Sequence, residues 1–197
     1  MPVKKNTAIF LDRDGTINEE VGYIVRLDQI VMIPSAYEAI RLIRQSGRMA
    51  VVITNQAAIA KGHATEEFVR KTHDHMQELL KTQEVLLDAF YYCPHHPTEG
   101  AFPYRKICSC RKPAPGLFLQ AAREMNIDLS SSYMIGDRYR DMEAAHAAGV
   151  KGVLVKTGYG ADVLENTGPD QETPEGKPEF VASNILEAVR WILRRSP

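Results

Sequence analysis

Short apolar, β-branched runs alternate with amphipathic segments along this chain. "TAIFL" (7–11), "AVVIT" (50–54), "DAFYYC" (88–93), "YMIG" (133–136) and "GVLVKT" (152–157) are almost continuously apolar, the pattern of strands buried on both faces. Between them lie segments of helical period. "PSAYEAIRLIRQSG" (34–47) sets Ala36, Ala39, Ile40 and Ile43 on one face, with Ser35 predicted as N-cap, Glu38 three residues on and Gly47 as the stop. "TEEFVRKTHDHMQELLK" (65–81), "PGLFLQAAREM" (115–125), "RDMEAAHAAG" (140–149) and "NILEAVRWILRR" (184–195) read the same way. Such alternation predicts parallel strands joined by right-handed crossovers and covered on both faces, a three-layer, Rossmann-like α/β fold. One domain over residues 1–197 is expected. The segment 164–180, rich in Pro, Gly, Glu and Thr, is predicted to be a surface loop before the last helix.

In open parallel sheets, ligands bind outside the carboxyl ends of the strands, and Asp12, Thr54 and Asp137 fall at or just past such ends. "AIFLDRDGTIN" (8–18) sets an apolar run directly against two aspartates. On a continuing strand Asp12 and Asp14 would point to opposite faces, but Gly15 lets the chain turn so that both can face one pocket. Further on come Thr54–Asn55, the "RKP" containing Lys112, and "IGDRYRD" with Gly136, Asp137 and Asp141.

Composition narrows the class. At 197 residues, 44% hydrophobic and 25% charged, the chain has the size and make-up of one globular domain. A net charge of -1, from 24 basic against 25 acidic side chains, gives no global attraction to nucleic acid or to an anionic membrane. Any anion binding is therefore local. The first apolar run is too short for a signal peptide or a membrane span, so a cytoplasmic protein is expected. No feature calls for a partner protein, and a monomer is expected.

The three cysteines are an odd number in a short stretch, which argues against a secreted disulfide framework. They occur as Cys93-x-His95 and Cys108-x-Cys110, with residues 96–107 between. Three thiolates and one imidazole form the four-coordinate set that structural zinc prefers, closed to catalytic water. His96 is the rival ligand to His95; the Cys-x-His spacing favours His95. Cys110 lies two residues before Lys112, so zinc would also fix Arg111 and Lys112.

Taken together, "DRDGT", "VVITN", "RKP" and "GDRYRD", in that order from about residue 7 to 160, resemble the haloacid dehalogenase superfamily of phosphatases. The resemblance implies that Asp12 attacks phosphorus and becomes an aspartyl phosphate, with Mg2+ bound by the Asp12 and Asp137 carboxylates and the Asp14 backbone carbonyl. It implies that Asp14 protonates the leaving oxygen and later activates water, while Thr54, Asn55 and Lys112 hold the phosphoryl oxygens. Asp141 either orients a metal-bound water or caps the following helix.

The intervals 15–51 and 55–110 are too short for a large cap domain, so specificity falls to the zinc loop and to "EEVGYI" (19–24). Arg13, Lys61, Arg105, Arg111, Lys112 and Arg138 gather near the motifs and suit a substrate with a second phosphate. For Arg13 and Arg105, solvated surface charge is the competing reading. "FLDRDGTIN", Gly22–Tyr23, "TNQ", "YYCPHHP", "CSCRKPAPG" and "GDRYRDM" further resemble the heptose bisphosphate phosphatases within that superfamily. This implies removal of the C7 phosphate to leave heptose 1-phosphate, toward nucleotide-activated heptose for lipopolysaccharide or other surface glycans. It also implies substrate contacts from Glu20, Val21, Gly22, Tyr23, Asn55, Gln56, Ala57, Arg111 and Arg138, beside Thr54 and Lys112. Two positions depart from that pattern: Ala57–Ala58 stand where Ser-Gly is common, and Arg138 where many members carry lysine. Histidinol-phosphate phosphatases, with a shorter zinc loop, and a zinc-stabilised binding module with a degenerate site are the alternatives. His73 and His75, in a polar helical segment, are assigned no role, and Trp191 is expected to pack on the sheet.

Overall fold

The structure, a computed structural model, describes residues 5–166 and 176–195. Six parallel strands form one sheet: β1 (Ala8–Leu11), β2 (Met49–Asn55), β3 (Ala89–Cys93), β4 (Tyr133–Gly136), β5 (Lys151–Val155) and β6 (Phe180–Ala182), in the order β3-β2-β1-β4-β5-β6. The helices are α1 (Pro34–Gln45), α2 (Glu66–Lys81), α3 (Gly116–Glu124), α4 (Tyr139–Ala147), α5 (Gly160–Asn166) and α6 (Ile185–Arg195). Strand alternation divides the core. Ile9 and Leu11 of β1 join Ile40 and Ile43 of α1, Met76 of α2 and Val189 of α6 on one face. Ala8 and Phe10 join Phe118 of α3 and Met142 of α4 on the other. This is the expected three-layer arrangement.

Three local features differ from the sequence reading. Helix α1 begins at Pro34, not after a Ser35 cap; Ile33 is the N-cap residue and makes no side-chain cap bond. Proline's fixed φ and missing N–H suit the first helical position, so it displaces the serine into the helix, and Glu38 pairs with Arg41 instead of closing a capping box. A sixth strand and the helix α5 both fall in or beside the segment read as loop. Three residues of β6 are too few to show a period; pairing with β5 at Val153↔Phe180, Leu154↔Val181 and Val155↔Ala182 defines them. Residues 167–175 of the predicted loop lie outside the described residues. Trp191 does pack at this edge, stacked on Phe180 with ring centroids 5.0 Å apart.

Between β1 and β2 lie only α1 and a short turn at Leu27–Gln29, and between β2 and α3 only α2, β3 and the cysteine loop. No large cap is present among the described residues. Nor is any described helix long and apolar enough to cross a membrane. The chain winds outward from β1 in one direction and from β4 in the other, so the sheet reverses between these paired strands. A crevice opens there at the carboxyl ends, with Asp12 and Asp137 on its two lips.

Phe118 is fully buried and meets Phe10 edge-on, with centroids 4.9 Å apart. Phe118→Ala is expected to lower unfolding free energy by about 3–5 kcal/mol, measured by urea denaturation. A loss under about 1 kcal/mol would contradict this packing account.

Candidate active site

Directly after β1 the chain turns sharply. The Arg13 carbonyl accepts from the N–H groups of Thr16, Ile17 and Asn18, and Gly15 adopts φ +79°, a conformation that glycine takes without steric cost. A β-carbon at Gly15 would lie 2.3 Å from Asp137 Oδ2. The turn brings Asp12 and Asp14 to the same small cavity of about 50 Å³, together with Glu20, Thr54, Asn55, Lys112, Arg138 and Arg140.

Asp12, Asp137 and Asp141 present carboxylate oxygens within 4.8 Å of one another. One buried ammonium faces them. Lys112 Nζ donates to Ile53 O at 2.8 Å and lies 2.9 Å from Asp12 Oδ1 and 2.7 Å from Asp141 Oδ1. Burial disfavours its charge, but the two carboxylates outweigh burial and the lysine stays above its ordinary range. Asp12 Oδ1 also accepts from the Arg13 N–H at 2.8 Å, while Oδ2 has no protein partner among the described residues. Burial raises Asp12, and Lys112 counters only part of it. Asp137 is pushed up to about 8, first by burial and then by the charges of Asp12 and Asp141. Its Oδ2 accepts from Tyr159 N–H at 2.8 Å, but its Oδ1 is buried without a partner. Three crowded hard oxygen donors, one of them orphaned, fit a small divalent cation such as Mg2+. Asp141 meets the second of its two expected roles, the helix cap, and adds a contact that was not expected. Its Oδ2 accepts from Arg138 N–H at 3.1 Å, capping α4, and its other oxygen holds Lys112.

Asp14 is placed differently. Its carboxylate accepts from Arg13 Nε at 3.0 Å and Nη2 at 2.7 Å, from Asn18 Nδ2 at 2.9 Å and from Gln56 Nε2 at 3.1 Å. Burial alone would raise it, yet Arg13 and these donors hold it below the usual carboxylate range. Arg13 is thus neither a surface charge nor part of a ring around the pocket. It is 2% exposed and clamped on Asp14. Behind it sits His73, which the sequence reading left in a polar segment; it is buried, its Nε2 lies 3.5 Å from Arg13 Nη1, and its ring stacks on Phe90. The helix α2 has a buried face there that its charged neighbours disguise. Asn18, in "DGTIN", carried no signal at all.

The small cavity adjoins a larger one of about 460 Å³. Of the predicted contact residues, Glu20, Gly22, Tyr23, Asn55, Gln56, Ala57, Arg111 and Arg138 line it, joined by Lys61. Val21, 44% exposed, does not, and neither does the exposed Arg105. Asn55 holds the Lys112 backbone at both ends, Nδ2 to O and Oδ1 from N–H, each 3.0 Å. Thr54 Oγ1 accepts from Gln56 Nε2 at 2.9 Å. His96, Arg140 and Tyr159 also line the larger cavity. Two of these were within reach of sequence rules: Arg140 stands inside "GDRYRD" and Tyr159 just beyond a strand end. Arg138 Cζ sits over the Tyr159 ring, 3.5 Å from its centroid.

Cys93, His95, Cys108 and Cys110 converge as a group, with His96 turned away toward Glu99, whose N–H donates to its Nδ1 at 2.9 Å. Sulfur–sulfur and sulfur–Nδ1 separations in the group run from 3.2 to 3.6 Å. A tetrahedral zinc with Zn–S of about 2.3 Å sets its ligand atoms roughly 3.5–3.8 Å apart, so the cluster fits that ion. Arg111 Nη1 donates to His95 O at 2.9 Å, tying the cluster to the larger cavity.

A family model described as HAD-hydrolase-like matches residues 109–188. The D-glycero-beta-D-manno-heptose-1,7-bisphosphate 7-phosphatase of Haemophilus influenzae is 40% identical over 191 residues, 96% of this chain and 98% of its own length. Its namesake from Escherichia coli O6:H1 is 46% identical over 156 residues, 79% and 82% of the two chains. Among solved structures, the D,D-heptose 1,7-bisphosphate phosphatase of B. bronchiseptica, complexed with magnesium and phosphate, superposes with a TM-score of 0.83 at 31% identity, covering 96% and 99% of the two chains.

Two outcomes are expected here. Cys108→Ser is expected to weaken zinc binding at least about tenfold in competition with a chromophoric chelator; unchanged affinity would remove Cys108 from the ligand set. For His73, burial first and the Arg13 charge second lower the imidazole from 6.5 to about 3. Between those values the unfolded chain binds a proton that the folded chain refuses. Stability therefore falls as pH drops through this window, by up to roughly 1.4 kcal/mol per pH unit. His73→Phe keeps an aromatic ring against Phe90 and should lose less stability between pH 6.5 and about pH 4.5 in urea titrations. Equal acid losses in both proteins would exclude His73 as the source.

Proposed function

Because the chain belongs to the HAD-like phosphatases, and among them to the family of heptose bisphosphate 7-phosphatases, we propose that it removes the C7 phosphate of D-glycero-β-D-manno-heptose 1,7-bisphosphate and leaves heptose 1-phosphate. The observation that carries this reading is the pair of adjoining cavities, one small and carboxylate-lined, the other larger and arginine-lined. A sugar with a phosphate at each end matches both. The β anomer is the one named in the relatives.

In the proposed reaction an Asp12 carboxylate oxygen attacks phosphorus while the bond from phosphorus to the C7 oxygen breaks, and Asp14 gives its proton to that oxygen. Water then attacks the aspartyl phosphate, Asp14 takes the water's proton, and the bond to Asp12 breaks to release inorganic phosphate. Arg13 keeps Asp14 ionised in the free protein; entry of a phosphate dianion beside it raises its proton affinity, so that Asp14 takes up a proton from solvent as substrate binds, and this is the proton it passes to the C7 oxygen. Lys112 orients Asp12, and Thr54 and Asn55 flank the phosphoryl oxygens. Asp12, Asp137 and the Asp14 carbonyl would hold Mg2+, which would supply positive charge against the negative charge developing on those oxygens. Zinc at Cys93, His95, Cys108 and Cys110 is structural. A cytoplasmic monomer, acting in the supply of nucleotide-activated heptose for lipopolysaccharide or other surface glycans, completes the proposal.

Histidinol phosphate is the weaker alternative. It carries a single phosphate and a cationic amine, which would leave the arginines unmatched and repelled. Phosphate release with Mg2+ should favour the β-heptose bisphosphate over its α anomer, histidinol phosphate and an aryl phosphate. Asp12→Asn should lower turnover at least about 10³-fold with its melting temperature retained. Preference for histidinol phosphate would overturn the substrate, and an active Asp12→Asn the chemistry.

A further inference from the structure

Helix α4 begins with two arginines, Arg138 at the N-cap and Arg140 two residues later. A helix N-terminus carries partial positive charge, so cations there are disfavoured. Each arginine has a different surrounding. Arg138 is stacked on Tyr159. Arg111, half-buried in the same cavity wall, donates to His95 O. Arg140, half-buried and lining both cavities, makes neither hydrogen bond nor ion pair among the described residues. Lys61, the remaining cation of the larger cavity, is paired with Glu99 at 3.0 Å. Three guanidinium groups thus converge with no ion-paired carboxylate among them, and only Asp14 and Glu20 contribute carboxylates to the cavity wall. Asp14 is already saturated by its own donors.

Mutually repelling, partly desolvated cations are stabilised when a multiply charged anion enters between them. Because Arg111 lines the larger cavity and not the small one, the point where Arg140 and Arg111 act together lies away from Asp12. We propose that Arg140 is a specificity-determining residue, whose unpaired guanidinium joins that of Arg111 to bind the second phosphate of the substrate, the one that is not hydrolysed. The fork geometry of arginine suits two phosphoryl oxygens at once. This deepens the function proposed above and depends on it only for which sugar bridges the two phosphates.

The test compares bisphosphate with monophosphate in two pairs, heptose 1,7-bisphosphate with heptose 7-phosphate and fructose 1,6-bisphosphate with fructose 6-phosphate, for the wild type, Arg140→Gln and Arg140→Lys. In Arg140→Gln the preference for the bisphosphate, as a ratio of kcat/KM values, is expected to fall at least about tenfold, mainly through KM. Arg140→Lys should recover part of it. Relief of a cation at the helix start predicts a melting temperature for Arg140→Gln equal to or above the wild type. Parallel losses on mono- and bisphosphates, or an unchanged ratio, overturn the proposal. A wild type that prefers the fructose bisphosphate over its monophosphate, but not the heptose one, sinks the heptose assignment and leaves Arg140 to be judged on the fructose pair. A wild type indifferent to the second phosphate in both pairs sinks both.

Discussion

The buried ammonium of Lys112 is the constraint on which the rest of the site depends. Asp12, Asp137 and Asp141 come from the ends of two adjacent strands and from the first turn of α4, and in water their charges would drive them apart. A single cation held within hydrogen-bonding distance of Asp12, Asp141 and the Ile53 carbonyl ties β1, β2 and α4 to one point. Removing Lys112 would be strongly unfavourable because the buried carboxylates would be left uncompensated, whereas neutralising one of the three carboxylates relieves crowding. Asp137 Oδ1, buried without a hydrogen-bond partner, marks the place where a divalent cation would supply the missing positive charge. Metal affinity and carboxylate crowding are thus two sides of one electrostatic arrangement.

Lys112 can occupy that point because its backbone is held from two directions. Asn55 clamps its N–H and carbonyl, and Cys110, two residues earlier, belongs to the cysteine–histidine cluster. The cluster therefore does more than close a loop. It sets the reach of Lys112 toward the carboxylates and, through the bond from Arg111 to the His95 carbonyl, the direction of one wall of the larger cavity. With no large cap among the described residues, walls of the larger cavity come from this short loop, through His96 and Arg111, and from the segment around Tyr23. Charge is divided accordingly, with carboxylates at the floor and guanidinium groups at the wall.

The two aspartates after β1, though adjacent in function, differ in environment. Asp12 sits against Lys112 with one oxygen unpartnered; Asp14 is surrounded by four donors from Arg13, Asn18 and Gln56. In the metal-free protein their proton affinities are pushed in opposite directions, Asp12 up and Asp14 down; a divalent cation beside Asp12 would lower the first and a phosphate dianion beside Asp14 would raise the second, which is the order attack and proton donation require. Gly15 makes the separation feasible, since any side chain there would strike Asp137.

The sequence by itself determined the alternation of buried strands and amphipathic helices, hence the parallel sheet. It also determined the strand-end location of Asp12, Thr54 and Asp137 and the grouping of Cys93, His95, Cys108 and Cys110. These are consequences of periodicity, turn chemistry and short-range spacing, all of which are local. Only the tertiary structure decided that Arg13 turns inward onto Asp14, that His73 backs it from α2, and that Arg140 and Arg111 line one cavity. Each joins residues from separate elements, and no local pattern records which face of a charged helix will be buried. The β6 strand was hidden for a related reason: three residues carry no period, and only pairing with β5 makes them a strand.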